Sequence, residues 1–218
     1  MTETRVMIRF MKLAAVSVLA TLVILVAVPV QAQEEDIAGE VLRLQGAAVA
    51  MQDAFPRPLK IGDKIMRGDV ISTGKDARIE IRMIDDAVMT LGERTVFVVI
   101  DYITTGEEPN AAVRLLEGAF KAVSGDLVKT ANASFVVETP LATIGIRGTT
   151  FWGGSLDGVF EVALLDGKGI YVETKTGRVE LTTVGQGTAI RSADIAPTAP
   201  EAWGAGKVQR AVDTVTFK

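Results

Sequence analysis

Arg147 is the residue whose type and surroundings most invite a ligand. It lies within Thr139-Pro140-Leu141-Ala142-Thr143-Ile144-Gly145-Ile146-Arg147-Gly148-Thr149-Thr150-Phe151. There an extended apolar run meets a Gly-Ile-Arg-Gly corner and leaves on two threonines and an aromatic. A guanidinium is a planar fork that can hold a carboxylate or phosphate through two parallel hydrogen bonds. The same fork can instead lock the corner by pairing with a carboxylate or with backbone carbonyls. Gly145 and Gly148 point to positive φ or to a close approach of chains. Trp152, beside Gly153-Gly154, is the best candidate for an aromatic carbohydrate platform, with packing against an end of the fold as the alternative.

Other reactive types are scarce. Asp63, Asp69, Asp85, Asp86, Asp157 and Asp166 all neighbour turns. Repeated Gly-Asp corners can stack into a calcium ladder. The EF-hand spacing is absent, however, and aspartate caps turns without any metal. No pair of acids is singled out for glycoside hydrolysis, and no Gly-x-x-x-x-Gly-Lys-[Ser/Thr] loop is present to cradle a phosphate. The chain has no histidine and no cysteine. That excludes serine–histidine triads, thiol nucleophiles, zinc hydrolase sites and disulfides. A noncatalytic protein with no metal and no cofactor is expected.

The elements that must position these residues are short and punctuated by glycine. Gly62-Asp63 and Gly68-Asp69 recur six residues apart and Thr73-Gly74 closes a third corner. That spacing suits the coils of a β-solenoid or short hairpins. Arg78 to Met83 alternates strictly, which places Ile79, Ile81 and Met83 toward a core. Thr95 to Ile100 is nearly continuously apolar, which predicts burial on both faces. Val159 to Leu165 and Ile170 to Glu173, joined through Asp166-Gly167, predict a hairpin. No helical period stands out between residues 37 and 192, so the class is all-β. From Ser192 the composition shifts to Ala, Pro and Gly, as in a linker or a surface-hugging tail. Val208 to Val215 could form one short helix or strand, and Trp203 could pack back onto the body.

The N-terminus carries Arg5, Arg9 and Lys12 ahead of an uncharged run from Leu13 to Val30, then Val30-Gln31-Ala32. A basic segment, an apolar segment and an A-x-A-like end predict a signal peptide over residues 1–32, cleaved near Ala32. A retained anchor is the rival, since such a run can just cross a bilayer. Either way the remainder is expected outside the cytoplasm, periplasmic or secreted, with no membrane span once the leader is cleaved. The leader holds three basic residues and one acidic one, so its loss moves the formal net charge from −4 to −6. An acidic chain of this kind carries no footprint for nucleic acid.

The ordered series of motifs resembles the FecR domain family, named after the regulator of bacterial ferric-citrate uptake. Gly39-Glu40-Val41, Gly62 through Gly74, Asp85 to Gly92, Leu115 to Phe120, Arg147-Gly148-Thr149, Gly167 to Val172 and Gly185-Gln186 carry the resemblance over residues 39–190. It implies a FecR-like domain over 37–192, followed by a tail over 193–218. The implied fold is a β-solenoid-like domain or β-roll, with a β-sandwich as the alternative. Gly145, Arg147, Gly148, Thr149 and Phe151 form the family motif and are expected to be structural. Well-known members listen to an outer-membrane receptor, and a cytoplasmic segment controls a sigma factor. Only about a dozen residues precede the apolar run here, too few for such a segment to fold. The expectation is a stand-alone exported module that binds a protein partner or an envelope polymer such as a polysaccharide. The alternative is one component of an iron-uptake type signalling relay, with a separate chain regulating the sigma factor.

Overall fold

A computed structural model describes residues 36–218, so the expected leader lies outside the described residues. In chain order the first strands are β1 (Ile37–Gln45), β2 (Ala48–Gln52), β3 (Phe55–Pro58), β4 (Lys64–Met66), β5 (Val70–Thr73) and β6 (Arg78–Met83). Then come β7 (Val88–Leu91), β8 (Val96–Ile103), β9 (Asn110–Glu117), β10 (Ala119–Val123), β11 (Ser134–Glu138) and β12 (Thr143–Ile146). The last are β13 (Thr149–Leu156), β14 (Val159–Gly167), β15 (Ile170–Glu173), β16 (Arg178–Leu181), β17 (Gln186–Ile190) and β18 (Glu201–Ala202). A 3-10 turn spans Leu127–Lys129, and one α-helix, α1, spans Ala205–Asp213.

The strands form two nine-stranded sheets, ordered β18-β17-β14-β13-β10-β7-β6-β1-β4 and β16-β15-β12-β11-β9-β8-β5-β2-β3. The chain passes back and forth between them, and one buried core takes side chains from both. Stacked solenoid coils would pair strands in parallel. Here β9 and β11 run parallel, while neighbours such as β13 and β14 or β8 and β9 run antiparallel. The all-β expectation holds, and the parallel coils of a solenoid are not what joins the strands. Period-2 patterning drives the packing: Ile79, Ile81 and Met83 of β6 are buried and Arg82 is exposed, as alternation requires.

Two other expectations change. Val159–Glu173 is not a hairpin, because β14 pairs with β13 and β17 while β15 pairs with β12 and β16. Gly167 and Gly169, both at positive φ (97° and 140°), turn the chain from one sheet into the other. The Asp-Gly hairpin lies instead at Asp157-Gly158, with φ of 53° and 82°, joining β13 to β14. Such positive φ at both loop positions matches the right-handed strand twist. In β8, Phe97 and Val99 are buried while Ile100 is exposed, so only one face of that apolar run is fully covered.

Sheet-crossing corners leave backbone groups without ladder partners, and three buried threonines supply them. Thr73 Oγ1 donates to the Gly92 carbonyl (2.6 Å) and accepts from the Thr95 N–H (2.8 Å). Thr95 Oγ1 bonds both the carbonyl and the N–H of Ala119, each at 3.2 Å. Thr149 Oγ1 bonds the carbonyl (2.8 Å) and the N–H (3.1 Å) of Gly169. Gly118 (φ 92°) passes so close that an added Cβ would lie 2.6 Å from Thr95 Cα.

Part of the outer face of the first sheet, over β10, β13, β14 and β17, is covered by the chain's own C-terminal segment. Trp203 lies over Gly187, where a Cβ would fall 2.2 Å from the indole, and meets Trp152 edge-on at 6.2 Å. Trp152 Nε1 donates to Thr214 Oγ1 (2.9 Å). Lys207 bonds Glu161 (2.8 Å), and Arg210 grips Asp157 with two bonds of 3.0 Å. Beyond α1, the Arg43 guanidinium stacks on Phe217 at 4.0 Å, and the Lys218 N–H bonds the Gln45 side chain.

Candidate functional site

The signature spans the passage from β12 to β13. Thr139 Oγ1 accepts from the N–H groups of Leu141 and Ala142 and so folds the Pro140-Leu141 turn. β12 then runs inside the second sheet, and the chain corners at Arg147-Gly148 to start β13 in the first. Its two glycines answer to different constraints. Gly148 sits at φ 66°, where a side chain is strained. Gly145 has no such φ; it lies opposite Tyr171, and a Cβ there would be 1.9 Å from the ring. The Arg178 guanidinium stacks on the same ring at 3.7 Å. Gly145, Tyr171 and Arg178 therefore make a cross-strand stack in which glycine leaves room for the aromatic.

Around the corner three backbone N–H groups are tied. The Arg147 N–H bonds the Gly169 carbonyl (3.2 Å), and the Lys168 N–H bonds the Gly148 carbonyl (3.1 Å). The Thr149 N–H bonds Ser124 Oγ (2.7 Å). Phe151 is buried and packs edge-on against Phe120 at 5.3 Å. Of the motif residues, Gly145 leaves room for the Tyr171 ring, Gly148 takes the positive φ, Thr149 bonds Gly169 and Phe151 packs in the core.

Arg147 differs from them. Its side chain is 62% exposed, and the carboxylate nearest it, Glu180, stands at 3.9 Å. Glu180 is engaged more closely by Arg178 at 3.0 Å. An exposed pair at such a distance contributes little to stability, so the corner is locked by backbone and threonine bonds and not by this guanidinium. Arg147 instead edges an open depression of 760 Å³ together with Lys129, Lys168, Ser124, Thr150 and Asp166. Three cations and one carboxylate face this space on a chain whose net charge is negative. Such an arrangement can hold carboxylate or phosphate groups by charge-assisted hydrogen bonds.

Lys129 comes from the 3-10 turn and donates to Asp126 (2.6 Å), a bond that raises the ammonium's pKa. Asp85 fastens that turn. Its Oδ2 accepts from the Leu127 N–H (3.1 Å), and its Oδ1 accepts from the Tyr102 hydroxyl (2.6 Å). Burial, then the charge of Asp85, pushes the Tyr102 hydroxyl far above its ordinary pKa. Asp63 Oδ2 and Asp69 Oδ2 likewise accept backbone N–H groups of their own turns.

Trp152 does not share the depression. It is fully buried against Trp203 and the chain's end, so it presents no exposed face to a sugar. The segment that covers it, residues 201–215, has no alternation or motif that reveals its destination. Lys129 and Lys168 carried no signal either: one sits on an isolated turn, and the other reads as a turn residue between two glycines. Among the described residues no helix is long and apolar enough to cross a membrane, and no cluster of three ligating side chains is placed to hold a metal.

Residues 69–168 match the family model described as FecR protein, so the resemblance to the FecR family is shown over those residues. No curated protein matches the chain. The fold is similar to two crystal structures, at 1.65 and 2.50 Å resolution, described as a "putative anti-sigma factor" from Parabacteroides distasonis. Each aligns with a TM-score of 0.52 at 18% identity, covering 64% of this chain. The match spans 62% of the other chain's length, less than two thirds of it. At that identity the likeness is one of fold.

The Gly145–Tyr171 contact generates a mutational cycle. Gly145→Ala is expected to destabilise the protein by about 1–3 kcal/mol, because the added methyl must displace the ring. Tyr171→Ala in the same chain is expected to relieve most of that penalty, giving a coupling energy of about 1 kcal/mol or more. Urea unfolding of the four proteins measures the cycle, and additive losses would show that the ring is not what excludes a side chain.

Proposed function

We propose that this chain is a noncatalytic FecR-type regulatory module, exported from the cytoplasm, that binds an acidic protein partner of the cell envelope. The contact runs through the depression at the β12–β13 corner. The observation that carries the reading is the exposed Arg147 at the centre of the family signature, flanked by Lys129 and Lys168. The backbone beneath Arg147 is fixed by the corner's bonds, and its planar fork loses less freedom per hydrogen bond formed than a flexible ammonium would, which favours it as an anchor. The lining supplies hydroxyls and one carboxylate, but no histidine or thiol exists to act as base or nucleophile. Recognition without turnover fits that chemistry. An anionic envelope polysaccharide would use the same cations and is the competing ligand.

A signalling role is the second reading. It is favoured by the FecR match and by the likeness to a fold described as an anti-sigma factor. In this reading the chain is the extracytoplasmic partner in a relay whose sigma-factor control lies on a separate polypeptide.

Capture from envelope extract, comparing the native chain with an Arg147→Glu/Lys168→Glu variant, tests the binding reading. A specific envelope protein should be enriched by the native chain and recovered about tenfold less by the variant, since two attractive contacts become repulsive. Equal recovery by both proteins, or capture of an acidic glycan in place of a protein, would overturn it. Deleting the gene should alter induction of an envelope receptor gene if the relay reading holds; unchanged induction would remove that reading.

A further inference from the structure

Each sheet has two edges, and three of the four are closed. On β3, Pro56 and Pro58 stand opposite Met51 and Val49 of β2. The Gln52–Phe55 pair closes the hairpin, so both prolines fall where a backbone N–H would otherwise point outward. On β4, the Lys64 carbonyl accepts from Arg57 and the Met66 N–H bonds Asp69. β18 is two residues long. Among the described residues, β16 ends a sheet without such protection along Arg178–Leu181; residues 193–196 pack only against the turn before it, where the Lys175 N–H bonds the Ala193 carbonyl, and a free edge is a template for another strand.

The register of β16 determines what that edge offers. Thr174 N–H bonds the Gly177 carbonyl to close the β15–β16 turn, and Glu173, Val172, Tyr171 and Ile170 then face Arg178, Val179, Glu180 and Leu181. Hydrogen-bonded and non-bonded pairs alternate along an antiparallel ladder. Val179 and Leu181 therefore direct their backbone groups inward to β15, and Arg178 and Glu180 direct theirs outward.

We infer that β16 pairs with β16 of a second copy, antiparallel about a two-fold axis through Val179, joining two of the second sheets edge to edge. Three registers let the outward groups of two such edges bond each other. Centring on Arg178 sets arginine opposite arginine, and centring on Glu180 sets glutamate opposite glutamate; like charges directly opposite are destabilising. Centring on Val179 sets Arg178 of each copy opposite Glu180 of the other, so both ladder pairs are charge-complementary. The side chains are already ordered for this. Arg178 is stacked on Tyr171 and bonded to Glu180 at 3.0 Å, which lowers the freedom lost on pairing. The same surface patch on both copies is what two-fold symmetry requires. This inference does not depend on what the Arg147 depression binds.

Sedimentation velocity over a concentration series of the purified chain, with circular dichroism to verify folding, tests it. The native chain should associate reversibly to a dimer. Arg178→Glu and Glu180→Arg should each weaken dimerisation by about tenfold or more, because each places like charges opposite in both symmetric pairs. The double swap Arg178→Glu/Glu180→Arg should restore it. Glu180→Pro removes an outward N–H together with the Glu180 carboxylate, and should abolish pairing while leaving the inward β15 ladder bonds of Val179 and Leu181 in place. A native chain that stays monomeric throughout, or a dimer that either single reversal leaves unchanged, would overturn the inference.

Discussion

Hydrogen-bond closure at the sheet-crossing corners is the constraint on which the rest of this structure depends. A strand inside a sheet satisfies its backbone through its neighbours, but a chain that leaves one sheet for another abandons them there. Buried backbone groups left unpaired cost about 1–3 kcal/mol each. Thr73, Thr95 and Thr149 meet that need with one hydroxyl each, which donates to a carbonyl reached across the corner from the other sheet and accepts a backbone N–H at the same corner. Glycines at positive φ, such as Gly118 and Gly167, let the second chain come close enough for those bonds to form.

The same closure explains why the signature corner can display an arginine without relying on it. Thr149, Gly148 and Gly169 fix the backbone, and Gly145 accepts the Tyr171 ring, so the Arg147 side chain is left free for solvent or a ligand. Lys168 reaches the depression because Gly167 and Gly169 turn its segment between the sheets. Lys129 reaches it because Asp85 binds the 3-10 turn to the body. Side chains far apart in sequence are thus collected by three local devices, each made of backbone bonds.

Much of the strand content was legible because alternation leaves a direct mark: Ile79, Ile81 and Met83 could be placed inward from their spacing alone. Partnership between strands was not legible. A glycine corner announces that the chain turns, yet its residue types do not say whether the next strand pairs with the last or enters the other sheet. Asp157-Gly158 and Asp166-Gly167 share the same dipeptide, and only the former closes a hairpin; Gly169 following Lys168 marks the difference. The burial of Trp152 depends on Trp203 and Thr214, whose arrival needs the whole tail to be placed. Arg147 stood out from its neighbours, but its exposure follows from bonds made by Thr149 and Gly169. The FecR resemblance located the corner and could not indicate which of its residues face outward.

Amide hydrogen exchange at Gly169 in a Thr149→Val variant tests the corner closure most directly. Valine keeps the shape and removes the hydroxyl, so the Gly169 N–H loses its acceptor while the core loses no volume. The expected result is a fall in protection at Gly169 of about tenfold or more, with protection in β6 and β7 far less affected. Unchanged protection at Gly169 would mean that the threonine hydroxyl does not hold the corner.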